Sequence, residues 1–143
     1  SKEFRKMVGG SVVQIPPYTI KNAEALYERE MNNKYSWFII LNHKMIGVCR
    51  LKQKDSTIAR YSIGIYDETL YSQGIGTIVT NAVVDFAFQE LNLEKLELMV
   101  LEYNKRAIAC YQKCGFKKTE LLKDNIEIDH VRYNDVIMTL SKE

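Results

Sequence analysis

Leu98-Met99-Val100-Leu101-Glu102-Tyr103-Asn104-Lys105-Arg106-Ala107-Ile108-Ala109-Cys110-Tyr111-Gln112-Lys113-Cys114-Gly115-Phe116 contains the change of backbone that decides the fold. Its apolar opening has strand character and stops at Asn104, a residue type whose side-chain oxygen caps helix N-termini. A short amphipathic helix follows. It ends at Gly115, the residue most able to take the left-handed turn of a helix C-terminus, with Phe116 placed to fold back onto it. Tyr111 lies two turns from the cap, where a phenol can look into a cleft beside the strand.

Upstream, the helix after Gly76 carries Ile78, Val79, Ala82, Val83, Phe86 and Ala87 as an apolar stripe at helical spacing, which predicts core packing. Asn92 ends it, and Lys95–Leu101 returns as a strand. Before it, residues 57–66 are rich in β-branched and aromatic types and read as a strand. Gly64 weakens the ladder there and marks a bulge or a close approach to a ligand. Trp37–Leu41 and Met45–Cys49 read as a hairpin around Asn42-His43-Lys44.

Downstream, Lys117–Leu122 and Val131–Leu140 read as a closing antiparallel pair joined by an acidic loop, Asp124 to Asp129. At the N-terminal end, Gly9-Gly10 and Pro16-Pro17 mark turns, and Thr19 is a cap candidate for a helix over 21–32. The order of hairpin, strand, helix, strand, helix and two strands predicts a mixed α/β sheet with its parallel crossover around residues 57–101.

At 143 residues the chain is expected to form a single domain, 1–143. A hydrophobic content of 46% with 27% charged residues describes an ordinary globular protein. The net charge of +2 is too small to argue for nucleic acid or an anionic membrane as partner. No run of about eighteen apolar residues predicts a membrane helix, and Ser1-Lys2-Glu3-Phe4-Arg5-Lys6-Met7 lacks the apolar core of a signal peptide. Cys49, Cys110 and Cys114 form no disulfide framework, which fits a reducing cytoplasm. His43 and His130 are isolated, so no metal site is expected, and the Cys110 and Cys114 thiols read as small buried hydrophobes.

The turn Tyr71-Ser72-Gln73-Gly74-Ile75-Gly76-Thr77 leads from a strand into a helix N-terminus. Gly74 and Gly76 let backbone N–H groups point outward, and the helix dipole adds partial positive charge, a nest that suits a pyrophosphate. No Gly-Lys-Ser/Thr ending makes it a Walker loop. The third glycine and downstream acid of a dinucleotide fingerprint are missing as well.

Taken with Asn104, Arg106-Ala107-Ile108, Tyr111, Lys113 and Gly115-Phe116, this turn resembles the acetyl-CoA-binding half of the GNAT N-acetyltransferases. Tyr71 departs from the family's Gln/Arg at that position. The resemblance implies the GNAT-like acyl-CoA N-acyltransferase fold, in which the strands at 57–66 and 95–101 splay to admit the pantetheine arm between flanking helices. It implies that backbone groups of Ile63, Gly64 and Ile65 bind pantetheine and polarise the thioester carbonyl. Gln73, Gly74, Ile75, Gly76 and Thr77 would hold the pyrophosphate; Asn104, Arg106 and Ala107 would complete the acetyl-CoA site. Tyr111 would protonate the departing thiolate, and Glu97 or Glu68 would take the proton of the attacking amine.

The implied activity is acetyl transfer from acetyl-CoA to a primary amine by direct attack in a ternary complex. Within the family, Phe86-Ala87-Phe88, Asn104–Ile108 and Tyr133-Asn134-Asp135-Val136 resemble two branches, one acting on ribosomal-protein N-termini and one on spermidine and related polyamines. For the second, Glu24, Glu28, Glu127 and Asp129 are candidate carboxylates. The family's opening strand and helix have no evident counterpart ahead of residues 3–20, and self-association through the C-terminal strands is a further expectation. The alternative function is a non-catalytic CoA-binding regulatory module of the same fold.

Overall fold

The computed structural model of the chain describes residues 35–71 and 73–142. The expected helix over 21–32, with Glu24 and Glu28, and the turns before it lie outside the described residues. Among the described residues six strands form one mixed sheet in the order β1-β2-β3-β4-β6-β5. They are β1 (Ser36–Leu41), β2 (Lys44–Gln53), β3 (Ile58–Ile65), β4 (Lys95–Leu101), β5 (Lys117–Ile128) and β6 (Val131–Ser141), with helices α1 (Ile75–Asp85) and α2 (Lys105–Lys113). Two compact units divide these elements: the first runs to Lys52 and resumes with Tyr61–Val83, the second takes Gln53–Arg60 and resumes at Val84.

In the first unit, β1 and β2 form the predicted hairpin. Asn42 and His43 both take positive φ (51° and 66°), the two-residue turn whose twist matches its flanking strands. Ile39, Ile46, Val48, Cys49 and Leu51 from this pair are buried. The end of β3 is tied to β2 through Tyr66 N–H and the Ile46 carbonyl, 2.7 Å apart. Val79 and Val83 of α1 are buried as predicted, whereas Ile78 is 57% exposed. Thr80 takes an inward position instead. Its hydroxyl is buried because the Tyr61 hydroxyl meets it at 2.9 Å, which satisfies both groups.

The helix does not run evenly to Asn92. From Phe86 to Glu90 it widens into a π-type turn, with Leu91 N–H bonded to the Phe86 carbonyl at 3.2 Å. The wider turn buries Ala87 and Phe88 side by side. Asn92, at φ 54°, then reverses the chain toward β4.

The second unit contains the parallel pairing, Ile58–Arg60 of β3 against Lys95–Glu97 of β4. β4 runs antiparallel to β6 from Lys95↔Ser141 to Leu101↔Asp135, and β5 hairpins back along β6. Leu96, Leu98, Val100, Ile108, Phe116, Val136 and Met138 supply its core. The acidic loop expected over Asp124–Asp129 is instead strand as far as Ile128, closed by a two-residue turn at Asp129-His130 with φ of 52° and 65°. A register shift between Leu122 and Ile126 absorbs the polar run, and Asp124 (φ 49°) gives its N–H to Asn134 Oδ1 at 2.8 Å. β5 lies at the sheet edge, where charges such as Lys117, Lys118 and Glu120 discourage pairing with another chain. Among the described residues no helix is long and apolar enough to cross a membrane.

Candidate acetyl-CoA and amine site

In the first unit, β3 ends at Ile65, and Asp67 starts a short 3-10 turn, Glu68–Leu70, by accepting from Thr69 N–H at 2.9 Å and its hydroxyl at 2.6 Å. Two contacts fix the approach to α1. The Tyr71 hydroxyl donates to the Ile65 carbonyl at 3.2 Å, and Gln73 Nε2 donates to the Thr69 carbonyl at 2.7 Å. Gly74 has φ 82° and accepts the first helical bond from Ile78 N–H at 3.0 Å. A Cβ there would meet nothing within 4 Å, so glycine is required for its backbone angle and not for room. The first turn of α1 carries no acidic side chain that would compete with an anion at its positive end. Ile63, Gly64 and Ile65 line the strand end leading into this turn; Glu68 is exposed, with its backbone carbonyl bonded by Tyr71 N–H.

In the second unit, both ends of α2 are built as read from the sequence. Asn104 Oδ1 accepts from Ala107 N–H at 3.2 Å. At the other end Gly115 (φ 101°) gives its N–H to Gln112, and Phe116 N–H reaches back to the Tyr111 carbonyl, each at 3.0 Å. That paired reversal satisfies two terminal carbonyls at once. Phe116, 1% exposed, meets Tyr111 edge to face with centroids 6.1 Å apart.

Burial pushes the Tyr111 phenol well above its ordinary value, with Cys110 adding to the shift and Arg106 opposing it. The group therefore stays protonated as a hydrogen-bond donor. Cys114 is also raised, first by its hydrogen bond to Cys110 and then by burial. Cys110 and Cys114, expected to be buried, are only half-buried, whereas Cys49 is buried. Among the described residues no group of three or more His, Cys, Asp or Glu could hold a metal ion.

Glu97 Oε1 is shared between Lys54 Nζ at 2.8 Å and Arg60 Nη2 at 2.7 Å. Burial alone would raise this carboxyl. The hydrogen bonds and charges of Lys54 and Arg60 together outweigh it and hold Glu97 below its usual range. A carboxylate so held gives up its partners before it takes a proton. Its folded value lies below its unfolded one, so its contribution to stability is complete above the carboxylate range and drains as pH falls through the folded value. Glu97→Gln is expected to melt below the parent at neutral pH, with the gap closing below about pH 4; thermal melts across pH check this.

A feature the sequence did not signal lies where β4 meets the β5–β6 hairpin. Glu102, Tyr103, Asp124, Arg132, Tyr133 and Asn134 line an open cavity of about 280 Å³. Asn134 Nδ2 donates to Glu102 Oε1 at 2.9 Å, while Tyr103 and Tyr133 meet edge to face at 5.1 Å. The contact between Glu102 and Asn134 spans 32 residues, and no local pattern announces it.

A family model described as acetyltransferase (GNAT) domain matches residues 1–117, most of the chain. The chain belongs to the GNAT acetyltransferase family. This GNAT chain is 28% identical over 106 residues to the probable N-acetyltransferase YjcK of Bacillus subtilis (strain 168), covering 73% of itself and 59% of that protein. It is 28% identical over 94 residues to an uncharacterized N-acetyltransferase of Bacillus licheniformis, covering 64% of itself and 52% of that relative. It thus spans little more than half the length of both.

Among solved structures, spermidine N-acetyltransferase from Vibrio cholerae in complex with CoA and spermine matches with a TM-score of 0.73 and 22% identity, over 90% of this chain and 79% of that one. A GNAT-family acetyltransferase from Bacillus anthracis matches with a TM-score of 0.76 and 13% identity, over 87% and 75%. At these identities the likeness shows the fold, and it agrees with the mixed sheet and helices predicted from sequence.

Proposed function

We propose that residues 1–143 act as one N-acetyltransferase domain that moves acetyl from acetyl-CoA to a primary amine. The observation that carries the reading is Tyr111, a phenol on a helix fixed at both ends by Asn104 and Gly115. In this reading the backbone of Gln73, Gly74, Ile75, Gly76 and Thr77 holds the pyrophosphate, with the left-handed Gly74 and the dipole of α1 supplying the anion site. Asn104, Arg106 and Ala107 hold the rest of the cosubstrate, and backbone N–H groups of Ile63 to Ile65 polarise the thioester carbonyl.

The amine nitrogen attacks the acetyl carbon directly. A C–N bond forms, the C–S bond breaks, and the departing thiolate takes the Tyr111 proton. The ammonium proton must leave first. We assign its removal to Glu68, which is exposed and has no ion-pair partner among the described residues, in preference to Glu97, which is committed to Lys54 and Arg60. Three thiols without a disulfide among the described residues support a reducing compartment such as the cytoplasm.

The acceptor is an amine of either branch that the sequence resembles, a polyamine or a protein N-terminus. The Vibrio cholerae enzyme bound to spermine supports trying polyamines first. One observation favours the second reading, a CoA-binding regulatory module: Tyr71 stands at the family's Gln/Arg position, and its hydroxyl occupies the Ile65 carbonyl.

Thiol release from acetyl-CoA, measured with spermidine, putrescine and short peptides bearing free N-termini, separates the two. Amine-dependent release establishes the transferase. CoA binding without release from any amine establishes the module.

A further inference from the structure

Asp135 is a buried carboxylate that the proposed mechanism does not use. It is 5% exposed, on β6 opposite both Leu101 of β4 and Leu122 of β5. Its one side-chain hydrogen bond among the described residues comes from Asn125 Nδ2, 2.9 Å from Oδ2. An ionised carboxylate offers about four acceptor directions, so one amide leaves most of them empty. None of the ion pairs among the described residues involves Asp135. A buried polar group so poorly served costs stability, and such groups persist where a ligand completes them.

Two features show that this arrangement is built. Asn125 lies within the register shift between Leu122 and Ile126, and bulges of this kind re-aim side chains beside functional sites. The pairing also places Glu97, Met99 and Leu101 on the same face as Thr139, Ile137 and Asp135. On that face Met99 is 39% exposed, and its sulfur lies 3.8 Å from the same Asn125 amide. The carboxylate therefore sits next to a position that solvent, and hence a ligand, reaches.

We infer that Asp135 binds the ammonium group of the amine acceptor, with Asn125 holding one carboxylate oxygen so that the other faces the cation. A primary ammonium supplies three N–H donors to the directions Asn125 leaves open. The inference rests on the transferase reading and adds to it a residue that selects cationic amines.

Asp135→Asn removes the charge while keeping the shape and an oxygen for Asn125. The KM for a cationic amine is expected to rise by roughly tenfold or more, the loss of one charge-assisted hydrogen bond. Affinity for acetyl-CoA should not change, and the melting temperature should hold because the side chain keeps its shape and an oxygen for Asn125. Spermidine and an alanyl peptide, run as separate arms, show which source of ammonium the site takes. Calorimetric titration with spermidine and with the peptide provides a readout independent of turnover; binding of whichever amine the parent takes should weaken in the variant by the same roughly tenfold or more.

An unchanged KM and unchanged amine binding, or a lowered melting temperature with unchanged KM, would make Asp135 a structural residue and overturn the inference. If the parent protein itself released no thiol with any amine, the transferase reading would fall and this inference with it.

Discussion

Tyr111→Phe is expected to lower acetyl-CoA-dependent turnover by roughly 10²- to 10³-fold, within the range a positioned general acid contributes, while leaving acetyl-CoA affinity unchanged. Phe keeps the ring that meets Phe116 at 6.1 Å, and the backbone bond from Phe116 N–H to the carbonyl of residue 111 is untouched. The helix should therefore remain in place, and only the proton is lost. Because burial holds the phenol protonated, the parent keeps its donor across the neutral range. The variant's deficit should accordingly stay constant from about pH 6 to pH 9. Steady-state thiol release with calorimetry on the same preparation tests both halves. A variant that turns over like the parent would remove Tyr111 from the chemistry.

Phe116→Ala should have the largest effect on stability. The side chain is 1% exposed, and truncating a buried Phe costs about 3–5 kcal/mol. Domains of this kind are stable by only about 5–15 kcal/mol. The melting temperature should therefore fall by about 10 °C or more. Beyond the cavity, the change removes the ring beside Tyr111, so turnover measured well below the melting temperature should fall too. Thermal melts and turnover at low temperature read the two effects separately. A drop of only a degree or two would mean that the C-terminal reversal of α2 is held by Gly115 alone.

The sequence disclosed those parts of the molecule that are specified locally. Asn104 and Gly115 cap α2 as residue type alone predicts, and Asn92 reverses the chain with positive φ at the predicted end of the preceding helix. The strand at 95–101 and its parallel neighbour followed from apolar runs on either side of a helical stripe.

What stayed hidden depends on partners distant in sequence. Residues 124–128 read as a loop because Asp124, Asn125 and Glu127 crowd them with polar groups, yet β6 supplies the ladder that makes them strand. Ile78 looked like core, but Thr80 faces inward because Tyr61 offers a hydroxyl. Glu97 looked like a free carboxylate until Lys54 and Arg60 met on it. Of the candidate site, the glycine turn and the capped helix with its tyrosine were legible, whereas the buried Asp135 with its Asn125 partner was not. Its surroundings come from three strands at once.

Calorimetric titration of the purified chain with acetyl-CoA tests the central claim most directly. Saturable one-to-one binding with a micromolar dissociation constant is expected, weakened when Gly74 is replaced by valine, which cannot hold φ 82° without strain. An absence of binding to acetyl-CoA in the folded parent protein would contradict it.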